Sequence, residues 1–305
     1  MPQSYSRTSL GMWPRAREAL KLYRLQSANT EAQVTELLGC MKANQANIER
    51  LLGEPLRGKR IFEIGPGQLL KNARFFGAHN QVVAVDLDRV VSNWDAAAWW
   101  DMFRKNGPLR VCKTLARKMA GIDRRFLAEL ARQMPATSDA NIQVLQRDAM
   151  NTGLESDSFD CALSFSVFEH LPEPRLVMRE IVRLLRPGGV AFHIFHCFTS
   201  DSGAHDARSF SIERSDLPYW CHLRPDKAHL VSTNAYLNRL SIAEWKTLVV
   251  EEFPGAEIVG ISQRGSPRLS RELQQLRMAG ELANFSDEEL MTVCLQVAWV
   301  KPANS

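Results

Sequence analysis

The sequence predicts an α/β fold, a mostly parallel sheet between layers of helix, and three stretches predict it. Ile61, Phe62 and Ile64 form a short apolar run that stops at Gly65-Pro66-Gly67, after which Leu69, Leu70, Ala73 and Phe76 recur at helical spacing. Gln81-Val-Val-Ala-Val-Asp-Leu-Asp88 is an apolar run of the kind a strand buried on both faces carries, closing on acids. From Phe159 to Phe195 a strand, a loop, an amphipathic helix and a second strand follow one another.

Composition sets the outer limits. A chain of 305 residues with 45% hydrophobic and 24% charged residues has enough material for a full core in one elaborated domain. A net charge of +4 is small for this length and makes no case for nucleic acid. No apolar run approaches the roughly 20 residues needed to span a bilayer, and no signal-peptide core follows the start, so a cytoplasmic protein is expected. The six cysteines are scattered, without a Cys-x-x-Cys pair or a His/Cys cluster at zinc spacing, and no metal ligands are expected.

Taken in order, residues 1–57 show no strand pattern. Leu20, Leu22, Leu25, Val34, Leu37, Leu38, Met41, Ile48, Leu51 and Leu52 fall mainly three and four apart, which predicts a helical cap that packs on the sheet or covers a substrate. The main domain then spans 58–305. Within it, about 90–138 reads as inserted helices, with Trp94, Trp99, Trp100, Met102 and Phe103 followed by Arg110, Lys113, Arg117, Lys118, Arg124 and Arg125. Asn141-Ile-Gln-Val-Leu-Gln146 is a third strand. In the next block Val177, Ile181, Leu184 and Leu185 share one helix face, Arg186-Pro187-Gly188-Gly189 is expected to stop that helix, and Val190 to Phe195 extends again. About 197–236 is a long irregular stretch whose aromatics argue against disorder. Ser241 and Glu244 form a capping box, and Ala256–Ser262 with Thr292–Val300 read as a final antiparallel pair, separated by a helix near Arg271 to Leu282.

The turn after the first strand is the candidate binding element. Glycine has no Cβ and tolerates positive φ, so a ligand can approach bare backbone amides at the start of the following helix. A dinucleotide fingerprint needs a third glycine where this chain has Leu70. The acid Glu63 just before the turn also suits an ammonium and hydroxyls better than a pyrophosphate. Asp86 lies about 20 residues beyond the glycines, where an acid at the tip of the second strand reaches ribose hydroxyls.

Glu63-x-Gly65-x-Gly67, Asp86, Asp148-Ala149 and the block from Phe159-Asp160 through Phe168-Glu-His-Leu171 to Leu185-Arg-Pro-Gly-Gly189 resemble, in that order, the motifs of class I S-adenosylmethionine-dependent methyltransferases of the type 11 group. The family's fullest first motif adds a glycine where this chain has Leu69. The resemblance implies a Rossmann-like three-layer sandwich, with a mostly parallel seven-stranded sheet and an antiparallel last strand. It implies S-adenosyl-L-methionine as cofactor. Gly65, Pro66 and Gly67 would hold its methionine end with Glu63 beneath them, Asp86 the ribose, Asp148 and Ala149 the adenine, and Ser164 the pocket wall. No metal is needed for such a displacement, whose demand is that the reacting atoms be held collinear and close while water is kept out.

An oxygen nucleophile needs a general base in reach, and His170 is the leading candidate, with capping of the next helix as the plain alternative; His196, His205, His222 and Tyr219 are further choices. Ser164-Phe-Ser-Val167 stands where base-methylating relatives carry an Asp/Asn-Pro-Pro-Tyr/Phe loop, and a Pro-Cys nucleophile is missing, which disfavours nucleic acid. The family likeness points to an oxygen, carboxyl or nitrogen of a small-molecule, sugar or other glycan-like, or lipid acceptor. A non-catalytic cofactor-binding subunit and an RNA methyltransferase are the alternatives.

Overall fold

The computed structural model describes residues 29–88, 121–135, 139–210, 217–233, 235–263 and 266–303, with isolated positions between 99 and 115. The helical text at Leu20, Leu22 and Leu25, the apolar positions Trp94 and Met102, and the basic positions Arg110, Lys113, Arg117 and Lys118 lie outside the described residues.

Seven strands, β1 (Arg60–Ile64), β2 (Gln81–Asp86), β3 (Ile142–Gln146), β4 (Phe159–Phe165), β5 (Leu185–His196), β6 (Glu257–Ser262) and β7 (Thr292–Val300), form one sheet in the order β3-β2-β1-β4-β5-β7-β6. The neighbours from β3 to β5 pair in parallel, and β7 runs antiparallel to both β5 and β6. The mostly parallel sheet and the antiparallel last strand expected from the sequence are both present. The chain winds outward from β1 in both directions, so the strand order reverses between β1 and β4. A crevice opens at such a reversal, at the carboxyl ends of the strands.

Alternate residues of each strand point to opposite faces and build two cores. On one face Phe62, Val83, Ala162, Ala191 and Phe195 pack with Val177, Ile181 and Leu184 of α4 (Pro174–Leu184) and Trp245 and Val249 of α5 (Ile242–Glu252). On the other, Ile61, Val82, Leu163 and Phe192 meet Val34, Leu38, Met41 and Ile48 of α1 (Thr30–Leu52), Ala73 and Phe76 of α2 (Lys71–Gly77), and Phe126 and Leu130 of α3 (Ile122–Gln133). The α1 helix therefore belongs to the outer layer of the sandwich. Burying side chains of this size contributes about 1.5 to 3 kcal/mol each, which is what holds the three layers together.

The expected stop of α4 differs in detail. The helix ends at Leu184, and Leu185, whose N–H still bonds the Ile181 carbonyl, already pairs with Phe159 of β4. Arg186-Pro187-Gly188-Gly189 thus forms a bulge inside β5, with Gly188 at φ 77°. Sheet pairing captures the chain before a glycine cap is needed. At α5 the capping box is formed in full: Ser241 Oγ accepts from the Glu244 N–H and Glu244 accepts from the Ser241 N–H. Ser241→Ala should lower stability by about 1 kcal/mol, read as a shift of the urea midpoint.

In the described part of the long connection after β5 an aromatic side chain is packed into a small core of its own. Trp220 is fully buried against Leu273 of α6 (Pro267–Met278), Leu282, and Leu290 and Met291 of α7 (Asp287–Met291). Its backbone N–H donates to Asp201 at 2.8 Å. Among the described residues no helix is long and apolar enough to cross a membrane.

Candidate functional site

At the strand-order reversal lies a cleft of about 360 Å³, walled by the tips of β1 and β2, by Arg147, Asp148 and Ala149 after β3, and by Ser166, Val167, His170 and Leu171 after β4. Such a volume falls in the range of small-ligand pockets. The glycine turn forms one wall. Gly65 ends β1 by donating its N–H to the Val85 carbonyl and turns at φ 65°, and a Cβ there would stand 2.7 Å from Val167 Cγ2. Gly67 also sits at φ 65°, but a Cβ on it would meet nothing within 4 Å. Gly65 is required by packing and conformation; Gly67 by conformation, beside open space.

Of the residues singled out in the sequence, Gly65, Gly67, Asp86, Asp148, Ala149 and His170 line this cleft. Both aspartates fold back on their own backbone. Asp86 Oδ1 accepts from the Asp88 N–H at 2.9 Å, and Asp148 Oδ1 accepts from the Met150 N–H at 2.8 Å. These local bonds hold each carboxylate at its strand end, and a carboxylate has further lone pairs for a ligand. Pro66 is buried behind the turn and is not part of the wall.

Glu63 lies beneath the turn at 1% exposure, and neither carboxylate oxygen has a hydrogen-bond partner. Burial raises its pKa to about 8; the nearby Asn72 amide lowers it in part without completing a hydrogen bond. The residue that reads as a charge in the sequence is therefore a neutral acid at pH 7 in the ligand-free chain.

Ser164 is also away from the cleft. It is fully buried, with Oγ 2.8 Å from Nδ1 of His193, whose ring packs near Phe168 and Phe253. The side chain of a strand residue is assigned to one face by the pleat, and at position 164 that face is core. Ser166, two residues on and at φ 57°, takes the place at the wall. Ser166, Val167 and Arg147 have no sequence signal beyond adjacency to the strand ends, so only that rule would have found them.

His170 closes a short 3-10 turn, Phe168–His170. Its Nδ1 lies 2.7 Å from the Tyr236 carbonyl, which can only accept, so Nδ1 carries the proton and Nε2 the lone pair. Burial lowers its pKa from the usual histidine range. Beside it the fold gathers groups far apart in sequence. Glu169 is 4% exposed with no side-chain hydrogen bond to its carboxylate; Oε1 lies 4.0 Å from His170 Nε2 and 3.7 Å from His196 Nδ1, which is in turn 3.0 Å from His205 Nε2. No metal-ligand spacing is visible along the chain here, because the three positions meet only through the β4–β5 pairing and the turn that follows.

Residues 106–193 match the family model described as a methyltransferase domain; the match begins after the glycine turn and Asp86 and takes in Asp148, the Phe168–His170 turn and α4. No curated protein matches the chain. Among solved structures, the chain is similar to a Haemonchus contortus phosphoethanolamine N-methyltransferase 2 in complex with S-adenosyl-L-methionine, at 18% identity over 86% of this chain and 52% of that one, with a TM-score of 0.46. The chain spans about half the length of that protein. It is also similar to an S-adenosylmethionine-dependent methyltransferase from Mesorhizobium loti, at 16% identity over 81% of this chain and 92% of that one, with a TM-score of 0.41. The sheet order, with its antiparallel β7 and its cleft at the β1/β4 reversal, agrees with the family-model match. Residues 106–193 are therefore the part of the chain that matches a methyltransferase domain, and they contribute β3, β4 and most of β5 to the seven-stranded sheet with its antiparallel β7.

Proposed function

We propose that the chain binds S-adenosyl-L-methionine in this cleft and methylates an oxygen, carboxyl or nitrogen of a small-molecule, glycan-like or lipid acceptor. The observation that carries the reading is the meeting, at one strand-order reversal, of a turn with two positive-φ glycines and two strand-end aspartates. The residues fit the cofactor. Gly67 leaves backbone open to a ligand, Glu63 is a buried carboxyl without a partner near the turn, and Asp86 and Asp148 are held acceptors for hydroxyl and amino donors. When bound, the cofactor supplies an electrophilic methyl group on a sulfonium.

The chain's own residues supply position and dryness. The open backbone at Gly67 and the Asp86 carboxylate fix one partner in place, and Val167 and Leu171 give the cleft an apolar wall that excludes water. His170, with Nδ1 committed to the Tyr236 carbonyl and Nε2 4.0 Å from Glu169 Oε1, is the cleft-lining group able to take a proton from an acceptor hydroxyl or amine. Small-molecule acceptors are favoured over nucleic acid because the residues after β4 contain no clamp for a base.

Calorimetry with S-adenosylmethionine and S-adenosylhomocysteine tests the reading, with binding of both expected. Asp86→Ala should weaken that binding by about 1 to 3 kcal/mol, the scale of a hydrogen bond to a charged group. Absence of binding to the wild-type chain would sink the assignment, and unchanged affinity in the variant would remove Asp86 from the site. Incubation of a metabolite extract with methyl-labelled cofactor, read by mass spectrometry, identifies the acceptor; binding without any transfer would favour a regulatory subunit.

A further inference from the structure

We propose that Glu169, His196 and His205 form a binding site for a divalent transition-metal ion of the zinc type, built beside the cofactor cleft and distinct from it. One ligand atom from each lies within 4.8 Å of the other two. The closest pair, His196 Nδ1 and His205 Nε2, is at 3.0 Å, and His196 Nδ1 is 3.7 Å from Glu169 Oε1. Ligand atoms around a tetrahedral zinc stand about 3.3 Å apart, given metal bonds of about 2.0 Å. Small side-chain movements therefore suffice to close the set.

Two further observations point to a ligand. The first is Glu169, a carboxyl group 4% exposed that accepts no hydrogen bond from any side chain and has only the backbone of Glu169 and His196 close enough to favour its charge. A buried carboxyl left so is costly, and a cation bound to it offsets that cost. The second is the turn that brings His205 back onto His196. Hydrogen bonds from Ser200 N to Cys197 O, Gly203 N to Ser200 O and His205 N to Ser202 O wind the chain tightly. A Cβ at Gly203 would stand 2.2 Å from the Phe198 carbonyl oxygen, so the turn is available only to glycine. His205 itself is held at φ 54°, an uncommon conformation for a side-chain-bearing residue. The constrained loop thus returns one imidazole to another, 3.0 Å apart, beside a buried carboxylate.

Two imidazoles and one carboxylate select zinc-like ions over magnesium or calcium, which favour oxygen ligands. Three protein ligands also leave a fourth coordination position, as in zinc sites that exchange a ligand. Cys294, opposite His196 in the β5–β7 register, stands next to the set. The His205 ring is 4.9 Å from that of His170, which lines the cleft, so a bound ion would stiffen the rim at the acceptor side.

The test uses the tag-free full chain, stripped with a chelator and titrated with Co²⁺ and then Zn²⁺. One equivalent of Co²⁺ with the visible absorption of a low-coordinate ion is expected, displaced by one Zn²⁺, while Mg²⁺ at the same concentration has no effect. Zn²⁺ should raise the melting temperature of the wild-type chain. Glu169→Gln and His205→Ala should each weaken Zn²⁺ binding at least tenfold and abolish the melting shift, with an unchanged circular dichroism spectrum. Absence of stoichiometric Zn²⁺ binding by the wild-type chain overturns the proposal, as does wild-type affinity in both variants. Should Glu169→Gln fail to fold, His205→Ala and the wild-type titration decide alone. Neither readout depends on S-adenosylmethionine, so the site stands or falls separately from the methyl-transfer reading.

Discussion

Gly65→Ala is expected to destabilise the chain by about 2 to 5 kcal/mol and to weaken cofactor binding more than tenfold. Two costs add at this position. A side chain at φ 65° pays about 1 to 2 kcal/mol for the left-handed conformation. The new Cβ also stands 2.7 Å from Val167 Cγ2, and overpacking of a filled site costs typically about 1 to 3 kcal/mol. Val167 is β-branched and 8% exposed, so it has little freedom to swing aside. Either the turn or the 166–171 segment must shift, and both are walls of the cleft. Urea denaturation reads the stability, and calorimetry with S-adenosylhomocysteine reads the cleft. The double variant Gly65→Ala/Val167→Ala separates the costs: it should recover the steric part and keep the conformational part. No recovery at all would show that the Val167 contact is not the cause.

The second large effect is one of pH. Glu63 holds its proton up to about pH 8 in the folded chain, because the ionised form would be buried without a partner. Unfolded, the same carboxyl ionises in the ordinary range near 4.3. Between those limits the native state binds a proton that the unfolded state has released, so stability falls as pH rises, by up to about 1.4 kcal/mol per unit. Below the unfolded pKa the penalty is absent, and above about pH 8 it is complete. The size expected is a few kcal/mol. Glu63→Gln keeps the shape and removes the proton equilibrium, so the variant should be more stable than wild type at pH 8 and close to it at pH 4.5. A difference that does not change between those pH values would refute the assignment. A cationic group bound at the turn would favour the ionised form, so cofactor binding near pH 7 should release a proton, detectable by calorimetry in buffers of different ionisation enthalpy.

Much of the fold was legible because its signals are local. The apolar run at Gln81 to Val85, the Ser241/Glu244 cap and the Val177/Ile181/Leu184 face are each specified within a dozen residues, and each formed where periodicity placed it. The end of α4 was less legible, since pairing of Leu185 with Phe159, a partner distant in sequence, competes with the glycine stop and prevails. In the candidate site the spacing from the glycines led to Asp86 and the family resemblance to Asp148 and Ala149; all three line the cleft, because in a parallel sheet the carboxyl ends converge on one edge.

By itself the sequence determined the strands, the glycine turn and the acids that follow them, all of which depend on side-chain pattern and backbone freedom over short spans. Only the tertiary structure decided the states of those groups and their company. It made Glu63 neutral by desolvation, turned Ser164 into the core against His193, and brought Glu169, His196 and His205 within 4.8 Å of one another. Charge state and proximity depend on what surrounds a side chain in three dimensions, and the surroundings come from residues far along the chain.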